Sequence, residues 1–440
     1  MKMNVHATME NAHAITITKT NMKELFLANQ VLNDILINGQ TTKKAIRKIL
    51  NDYPKDKSFA SFVSILVGCE LRHHILFSVN FKEELANLSE EVKNLIYLCL
   101  ANQFFLKKLD VNSVNEYARS ILGDKYSEDI DKLLSYQGQI SELIKVSRST
   151  PTYVSMRFNT PIWLIKMWKK HFGSNVCYRI LKANNTQANT YICKNDIVDD
   201  VLLDEHFKEI GDNVYQYLPK TSIRKHPSYK SNSGLGKIFR VNPVLKKVID
   251  SNINPMLSEW TLLNDDDDEI VKYLYVKSKG EIGINLIVND TSERANLLRF
   301  IRLEKMKNIL MFKGDSDEAL QVGLTSKQEF ILVNPASSSF QRIRLYPDYI
   351  FNFKRDNLDN LIKNQTKSLD SLASYVCDGG TLLYTVDTLN KKETFDIVAS
   401  FLEKHPEFEL VEQHQQFPFD SIDVTCYYAI LRKKESAPND

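Results

Sequence analysis

The hydrophobic pattern of this chain of 440 residues changes character along its length. Between residues 25 and 144, apolar residues recur every three and four positions, which is the period of helices that bury one face. Ser89 and Ser127 each precede acidic residues, as helix N-caps do. The pattern predicts an all-helical domain over residues 23–147, after a disordered terminus at residues 1–22.

Residues 148–235 have a mixed pattern. A helical stretch opens this segment, in which Pro161 suits a first helical turn and Gly173 a helix exit. Its later part combines Ser, Gly and Pro with positive charge, which is typical of exposed connecting chain. We expect a small α+β domain that links two larger ones.

From residue 236 to residue 435, short apolar runs alternate with amphipathic helical stretches. The runs of strand length are residues 284–288, 308–312, 330–333 and 380–386. Alternating strands and helices predict a doubly wound α/β domain, in which ligands bind at the carboxyl ends of the strands.

The formal net charge of +2 hides an uneven distribution. Residues 151–250 carry 16 Lys and Arg against 8 Asp and Glu, whereas residues 251–440 carry 22 against 30. A local basic excess suits binding to a polyanion such as RNA, and it equally suits a solvated lysine-rich surface.

The six cysteines form no CxxC pair and no short Cys/His spacing of the kind that zinc sites use. We therefore expect reduced thiols and no metal. The N-terminus lacks the apolar core of a signal peptide, and no stretch approaches the ~20 apolar residues of a membrane span. These features predict a cytoplasmic protein without a membrane partner, and we expect a monomer.

Several motifs occur in a recognisable order. A YPD element (346–348) precedes a long helical stretch and then GGTLLYTVDTLN (379–390). Upstream lie the helical domain and RFNTPIWLIKMWKKHFG (157–173). In this order the chain resembles, over about residues 25–435, the RsmB/Sun (Fmu) family of S-adenosylmethionine-dependent rRNA cytosine-C5 methyltransferases. The resemblance implies a NusB-like helical domain, a small RNA-contacting domain and a Rossmann-like class I methyltransferase domain.

That family uses a cysteine thiolate, which adds to carbon-6 of cytosine so that carbon-5 can take the methyl group. Asp387 stands at the position of this cysteine. Ser337 stands at the family's second cysteine, or Ala336 if the neighbouring proline is kept in register. Asn334 replaces the aspartate that contacts the base. The resemblance therefore predicts a divergent member that has lost methyl transfer.

The cofactor positions are altered as well. The acidic run 265–269 stands where the family has a glycine-rich loop that approaches the methionine part of S-adenosylmethionine. Asp290 and Asp315 match the acids that contact the ribose and the adenine. A helix N-cap is the alternative interpretation of Asp290. We expect weak binding of S-adenosylmethionine or none.

The predicted partner is RNA, most simply ribosomal RNA, and phosphate contact requires only positive charge. The candidate RNA-binding residues are Arg157, Lys166, Lys169, Lys170, Lys220, Arg224, Lys225 and Lys230. The alternative function is an active S-adenosylmethionine-dependent RNA methyltransferase whose chemistry at Asn334, Ser337 and Asp387 needs no cysteine.

Overall fold

The structure is a computed structural model that describes residues 22–53, 59–195, 203–233, 236–265 and 268–435. The predicted disordered terminus thus lies, except for its last residue, outside the described residues. Contacts divide the chain into two compact units. Unit 1 comprises Met1–Met167 and Tyr346–Phe353, and unit 2 comprises Trp168–Leu345 and Lys354–Asp440.

Unit 1 is helical throughout its described part, which confirms the predicted all-helical N-terminal region. Its helices are α1 (Lys23–Leu36), α2 (Thr42–Asp52), α3 (Ala60–Leu71), α4 (His74–Asn80), α5 (Glu90–Ala101), α6 (Val111–Leu122), α7 (Glu128–Leu134) and α8 (Pro151–Phe158). The helix α9 (Ile162–Asn184) begins in unit 1 and runs into unit 2. A short helix, Tyr349–Asn352, called α16 below, also belongs to this unit.

The helices of unit 1 share one apolar core, to which α1 contributes buried residues such as Leu25, Val31 and Leu32. Side-chain caps fix several helix starts. Ser127 accepts a hydrogen bond from the backbone N–H of Ile130, as predicted. Ser89 also precedes a helix start, as predicted, but its side chain makes no capping hydrogen bond.

Asn159 joins three helices of unit 1. It follows α8 with φ of 46°, a left-handed conformation that Asn and Gly adopt more easily than other residues. Its buried side chain accepts a 3.0 Å bond from the N–H of Ile75 and donates a 2.7 Å bond to the carbonyl of Leu71. The end of α3 and the start of α4 are thereby held against the end of α8.

In unit 2, α9 is interrupted at Gly173, whose φ of 81° and ψ of 165° are not helical. The predicted helix exit at this glycine is therefore present as a break, after which a second helical segment continues to Asn184. The side chain of Trp168 is fully buried, and its Nε1–H donates to the carbonyl of Leu389 at 3.0 Å.

A small antiparallel sheet follows α9, with strand order β2-β3-β1-β4. Its strands are β1 (Thr190–Lys194), β2 (Phe207–Gly211), β3 (Val214–Tyr217) and β4 (Ile238–Arg240). Between β3 and β4 lie a short 3₁₀ turn (Ile223–Lys225) and α10 (Pro227–Ser233). Ile192, Tyr217, Ile223 and Ile238 form the core of this part.

The rest of unit 2 is an α/β domain around a larger mixed sheet of order β10-β11-β9-β8-β5-β6-β7, and this confirms the predicted Rossmann-like fold. The four pairings from β9 through β8, β5 and β6 to β7 are parallel. The pairings of β10 with β11 and of β11 with β9 are antiparallel. The strands are β5 (Glu259–Asn264), β6 (Gly283–Val288), β7 (Ile309–Lys313), β8 (Gln328–Asn334), β9 (Val376–Val386), β10 (Phe408–Gln416) and β11 (Cys426–Lys433). The helices are α11 (Pro243–Asn252), α12 (Asp268–Lys277), α13 (Thr291–Leu303), α14 (Asp317–Gly323), α15 (Arg342–Leu345), α17 (Asn357–Ala373) and α18 (Phe395–Lys404).

The central strands are buried on both faces. Leu262 and Leu286 belong to one core, whereas Leu263 and Ile287 belong to another. Successive residues of a strand point to opposite faces, so both faces are covered, as parallel sheets require. Polar side chains gather at the edge at which the strands end, although Thr261 and Asn285 are buried within the sheet.

Among the described residues, no single helix has the length and apolarity needed to cross a membrane. Helices α3 and α4 would satisfy both requirements only if counted together across the 54° bend between them.

The role of Asn159 leads to a prediction about stability. Asn159→Ala removes two buried hydrogen bonds and places a Cβ-bearing residue without a polar side chain in a left-handed conformation. We expect the free energy of unfolding to fall by about 2–4 kcal/mol. Asn159→Gly should lose roughly 1 kcal/mol less, because glycine tolerates this conformation. Urea denaturation followed by circular dichroism measures both, and equal losses in the two variants would contradict the assigned strain.

Candidate functional site

The carboxyl ends of neighbouring strands bring most of the predicted site residues to one edge of the larger sheet. Asn264 ends β5 and pairs directly with Asn334, which ends β8. Asn289 and Asp290 follow β6, and Asp387 follows β9. This is the edge at which open α/β sheets bind ligands.

Asp265 connects the ends of three strands. Its carboxylate accepts hydrogen bonds from the backbone N–H groups of Asn289, at 2.8 Å, and Asp290, at 3.4 Å. Its own N–H donates to the carbonyl of Asn334 at 3.0 Å. The first acid of the predicted run therefore binds backbone of the neighbouring strand.

Burial raises the pKa of Asp265 to about 6, although the two backbone N–H groups favour its ionised form. The nearby charge of Asp290 adds to the rise. A carboxylate with this pKa costs stability when it is ionised at neutral pH, because water no longer solvates it.

The remainder of the acidic run begins the next helix. Asp268 and Glu269 occupy the first turn of α12, where negative charge is favourable. Burial raises the pKa of both carboxyl groups, and Glu269 lies 3.3 Å from Arg240. Asp266 and Asp267 lie outside the described residues. Asp265 and Glu269 are thus held by contacts with this chain, whereas Oδ1 of Asp268 is buried and has no hydrogen-bond partner among the described residues.

Asn334, the predicted base-contact position, is buried. Its Nδ2 donates to Oδ1 of Asn264 at 2.8 Å. The two amides link β8 to β5 side chain to side chain. Part of the hydrogen-bonding capacity of Asn334 is therefore used within the sheet edge.

A buried carboxylate, which sequence reasoning missed, binds the loop after β8. Glu393 accepts bonds from the backbone N–H and the hydroxyl of Ser338, at 2.7 and 2.5 Å. Asn390 and Gln365 donate to the same carboxylate at 2.8 and 3.1 Å. Ser337, the second family cysteine position, is also buried, and its hydroxyl accepts from the N–H of Ser339. These contacts fix the loop from inside.

Asp387 follows the last residue of β9 and is partly exposed. Its carboxylate accepts a 3.4 Å bond from the side chain of Gln341. Cys377 lies at the opposite end of β9.

A cysteine that the sequence did not single out lies next to Asp387. Cys426 begins β11, whose residue Tyr427 pairs with Val386. The thiol of Cys426 is fully buried, and burial together with the charge of Asp387 raises its pKa well above the usual range. A nucleophilic cysteine requires a lowered pKa, so this thiol is an inert packing group.

The two predicted cofactor acids have other partners. Asp290 is exposed and caps α13, because its carboxylate accepts a 2.9 Å bond from the N–H of Glu293 and a bond from the hydroxyl of Ser292. These bonds lower the pKa of Asp290. Asp315 is exposed, and Lys313 at 2.6 Å lowers the pKa of its carboxyl group. The alternative interpretation of Asp290 as an N-cap agrees with this geometry.

The candidate RNA-binding residues are all exposed. They are Arg157 and Lys166 in unit 1, and Lys169, Lys170, Lys220, Arg224, Lys225 and Lys230 in unit 2. Those in unit 2 belong to α9 or to the segment between β3 and the end of α10.

Comparison with known proteins identifies relatives of the α/β part. A family model described as the 16S rRNA methyltransferase RsmB/F matches residues 283–430. The probable ribosomal RNA small subunit methyltransferase B of Bacillus subtilis (strain 168) is 31% identical over 104 residues. This alignment covers 23% of the present chain and 23% of that relative.

Solved structures extend the likeness in fold beyond the α/β part. The crystal structure of PH0851 superposes on 92% of this chain and 98% of its own, with a TM-score of 0.69 and 16% identity. A methyltransferase homolog protein from Pyrococcus horikoshii gives a TM-score of 0.51 at 13% identity, over 66% of this chain and 100% of its own. At these identities the likeness concerns the fold alone.

The buried acid Asp265 leads to a prediction with a defined pH dependence. Its pKa is about 6 in the folded protein against an ordinary value of 3.8, so its stabilising contribution is complete below pH 3.8 and is lost as the pH rises through 6. Asp265→Asn should therefore stabilise the protein at pH 8, by roughly 1–3 kcal/mol, and by about half as much at pH 5, which lies between the two pKa values. Urea denaturation at both pH values measures this difference.

The matched control is Asp315→Asn, which changes an exposed acid on the same domain. We expect its effect to stay within about 0.5 kcal/mol, as is usual at the surface. A gain for Asp265→Asn that is equal at pH 5 and pH 8 would contradict the assigned cause.

Proposed function

We propose that this protein, which belongs to the RsmB/Sun family of ribosomal RNA methyltransferases, binds RNA and has lost methyl transfer. The observation that carries the proposal is the carboxylate of Asp265, which binds the backbone N–H groups after β6. It lies at the sheet edge where ligands of this fold bind.

The residues at this edge do not fit S-adenosylmethionine. The family's loop offers small residues and close backbone approach, whereas this chain places the carboxylate of Asp265 against the end of β6. That carboxylate would repel the carboxylate of the cofactor when both are ionised. Asp290 is committed to capping α13, and Asp315 pairs with Lys313. We therefore derive no reaction step through this cofactor.

The nucleophile positions support the same conclusion. Neither Asp387 nor Ser337 can supply the soft thiolate that adds to cytosine. The neighbouring thiol of Cys426 is buried, and its raised pKa keeps it protonated at neutral pH. Glu393 and its partners hold the loop that carries Ser337 and Ser338 in one conformation. The loop is therefore well packed although a serine stands at the position of the family's cysteine.

RNA binding can persist without this chemistry. Phosphate contacts require exposed positive charge, and the candidate residues on α9 and α10 provide it. An RNA-binding role at the ribosome or during its assembly then remains when methyl transfer is lost. We further propose that the helical region of unit 1 is NusB-like and contributes a second RNA or protein contact. A monomeric state and cytoplasmic location stay predictions.

Calorimetric titration with S-adenosylmethionine tests the loss of the cofactor. We expect no detectable heat up to millimolar cofactor, because Asp265 occupies the backbone donors and no glycine-rich loop is present. The Bacillus subtilis relative serves as the positive control in the same buffer. Binding in the micromolar range would overturn the proposed loss and would favour the alternative of an active methyltransferase with non-cysteine chemistry.

Salt-dependent binding to 16S ribosomal RNA tests the other half of the proposal. Replacing Lys169 and Lys170 by Gln should lower the slope of log K against log salt by about 0.7–0.9 for each phosphate contact removed. The control replaces Lys307 and Lys363, which are equally exposed but lie outside the candidate set. An equal loss in both double variants would identify the binding as unspecific charge attraction and would reject the assigned interface.

A further inference from the structure

A cluster of metal-ligand type lies in the small-sheet part of unit 2, next to the candidate RNA-binding residues Arg224 and Lys225. Asp204, His206 and His226 each offer one ligand atom, and these three atoms lie within 4.8 Å of one another. Nδ1 of His206 lies 3.0 Å from Oδ1 of Asp204, and Nε2 of His226 lies 3.3 Å from Oδ2. Both imidazoles thus face one carboxylate.

The backbone on both sides of the cluster is fixed. Asp204 and His206 immediately precede β2, and Oδ1 of Asp204 accepts a 3.0 Å bond from the N–H of His206. His226 stands between the 3₁₀ turn and α10, and its N–H donates to the carbonyl of Ile223 at 2.9 Å. The hydroxyl of Ser228 approaches Oδ2 of Asp204 at 3.4 Å. The ligand groups therefore come from two anchored segments.

The ring of His226 is held firmly. Its side chain is 10% exposed, and the rings of Phe207 and Tyr217 pack against it with centroid distances of 5.0 and 5.6 Å. Among the described residues, its Nδ1 is buried without a hydrogen-bond partner. The polar contact of this ring is thus directed at the carboxylate of Asp204 through Nε2 alone. The exposed side chains of Asp204 and His206 leave the opposite side of the cluster open to solvent.

We propose that Asp204, His206 and His226 bind a divalent transition-metal ion of the zinc class. Two imidazole nitrogens and a carboxylate are typical zinc ligands, with bonds of about 2.0–2.2 Å that place tetrahedral ligand atoms roughly 3.3–3.5 Å apart. The two imidazole nitrogens lie 3.0 and 3.3 Å from different oxygens of Asp204, and one ligand atom from each of the three residues lies within 4.8 Å of the other two. A metal ion would draw these atoms together to the tetrahedral spacing. Three protein ligands leave one coordination position for water or another oxygen ligand.

His405 shows how an ordinary histidine–carboxylate contact differs from this cluster. Its Nε2 meets Asp370 at 3.0 Å, and its Nδ1 meets Glu407 at 3.2 Å. The two carboxylates contact different nitrogens of one ring. A metal ion binds one ring nitrogen through its single lone pair, so Asp370 and Glu407 cannot share one ion with this ring. In the Asp204 cluster, by contrast, two rings converge on one carboxylate. His405 is therefore a matched control for the proposed site.

The sequence predicted no metal, because the chain has no short Cys and His spacings of the kind that zinc sites use. His206 and His226 are far apart in sequence, and the fold of the small sheet brings them together. The metal proposal does not depend on the loss of methyl transfer or on RNA binding.

Isothermal titration with zinc chloride alone, on full-length protein first treated with a chelator and then dialysed, tests the site. We expect one ion to bind at the cluster. Asp204→Asn keeps an oxygen that can accept from the N–H of His206 but removes the charged ligand. It should weaken zinc binding by at least about 10-fold, because even the loss of an outer-shell partner costs about 10–100-fold. His206→Asn should weaken it similarly. His405→Gln should leave the affinity unchanged.

Cobalt(II) supplies a second readout that folding alone does not produce. Bound at the cluster, Co²⁺ should give visible absorption bands of a low-coordinate N/O site, and these should disappear in Asp204→Asn while the circular dichroism spectrum is retained. Zinc affinity that is the same in wild type, Asp204→Asn and His206→Asn would overturn the proposal. Such a result would assign the binding to others of the nine histidines of the chain. Absence of zinc binding to the wild type would overturn it as well.

Discussion

Burial of the central parallel strands on both faces is the constraint on which the α/β domain depends. Leu262 and Leu263, neighbours in β5, enter different cores, so neither face of the sheet is left for polar chemistry. Ligand chemistry is therefore confined to the edge where the strands end. Any polar group at that edge that loses water must find a partner within the chain, because an unpaired buried donor or acceptor costs about 1–3 kcal/mol.

In this protein the strand ends satisfy one another. Asp265 binds the backbone after β6, Asn334 binds Asn264, and Glu393 gathers the loop after β8. A site that binds a ligand tightly keeps some of these groups available until the ligand arrives. Here Asp265, Asn334 and Glu393 already have protein partners, whereas Oδ1 of Asn289 and Oδ1 of Asp268 have none among the described residues. The proposed loss of methyl transfer and the retained architecture would both follow from this set of hydrogen bonds.

The sequence predicted the fold well because periodicity reports burial directly. The runs around residues 284–288, 330–333 and 380–386 lie in β6, β8 and β9. It predicted the site less completely. Asp387 and Asn334 were found because motif order places them at strand ends. Cys426, Glu393 and the pairing of Asp204 with His226 depend on contacts between segments distant in sequence, and no local pattern encodes such contacts. The helix start at Ser89 was predicted correctly, but its side-chain capping bond was not, because a residue type that often caps helices does not always form the bond.

The position of Cys426 has a consequence for any attempt to restore catalysis. It directly precedes Tyr427, which pairs with Val386, and Asp387 directly follows Val386, so Cys426 and Asp387 lie beside each other just past the last pair of β11 and β9. Facing residues on such strands have Cα atoms about 4.5–5.5 Å apart, which lies within the range that a disulfide spans. Returning the family's thiol at position 387 would therefore place two thiols within bonding reach. Under oxidising conditions that thiol would form a cross-link with Cys426, so any test of a cysteine at position 387 requires a reducing buffer.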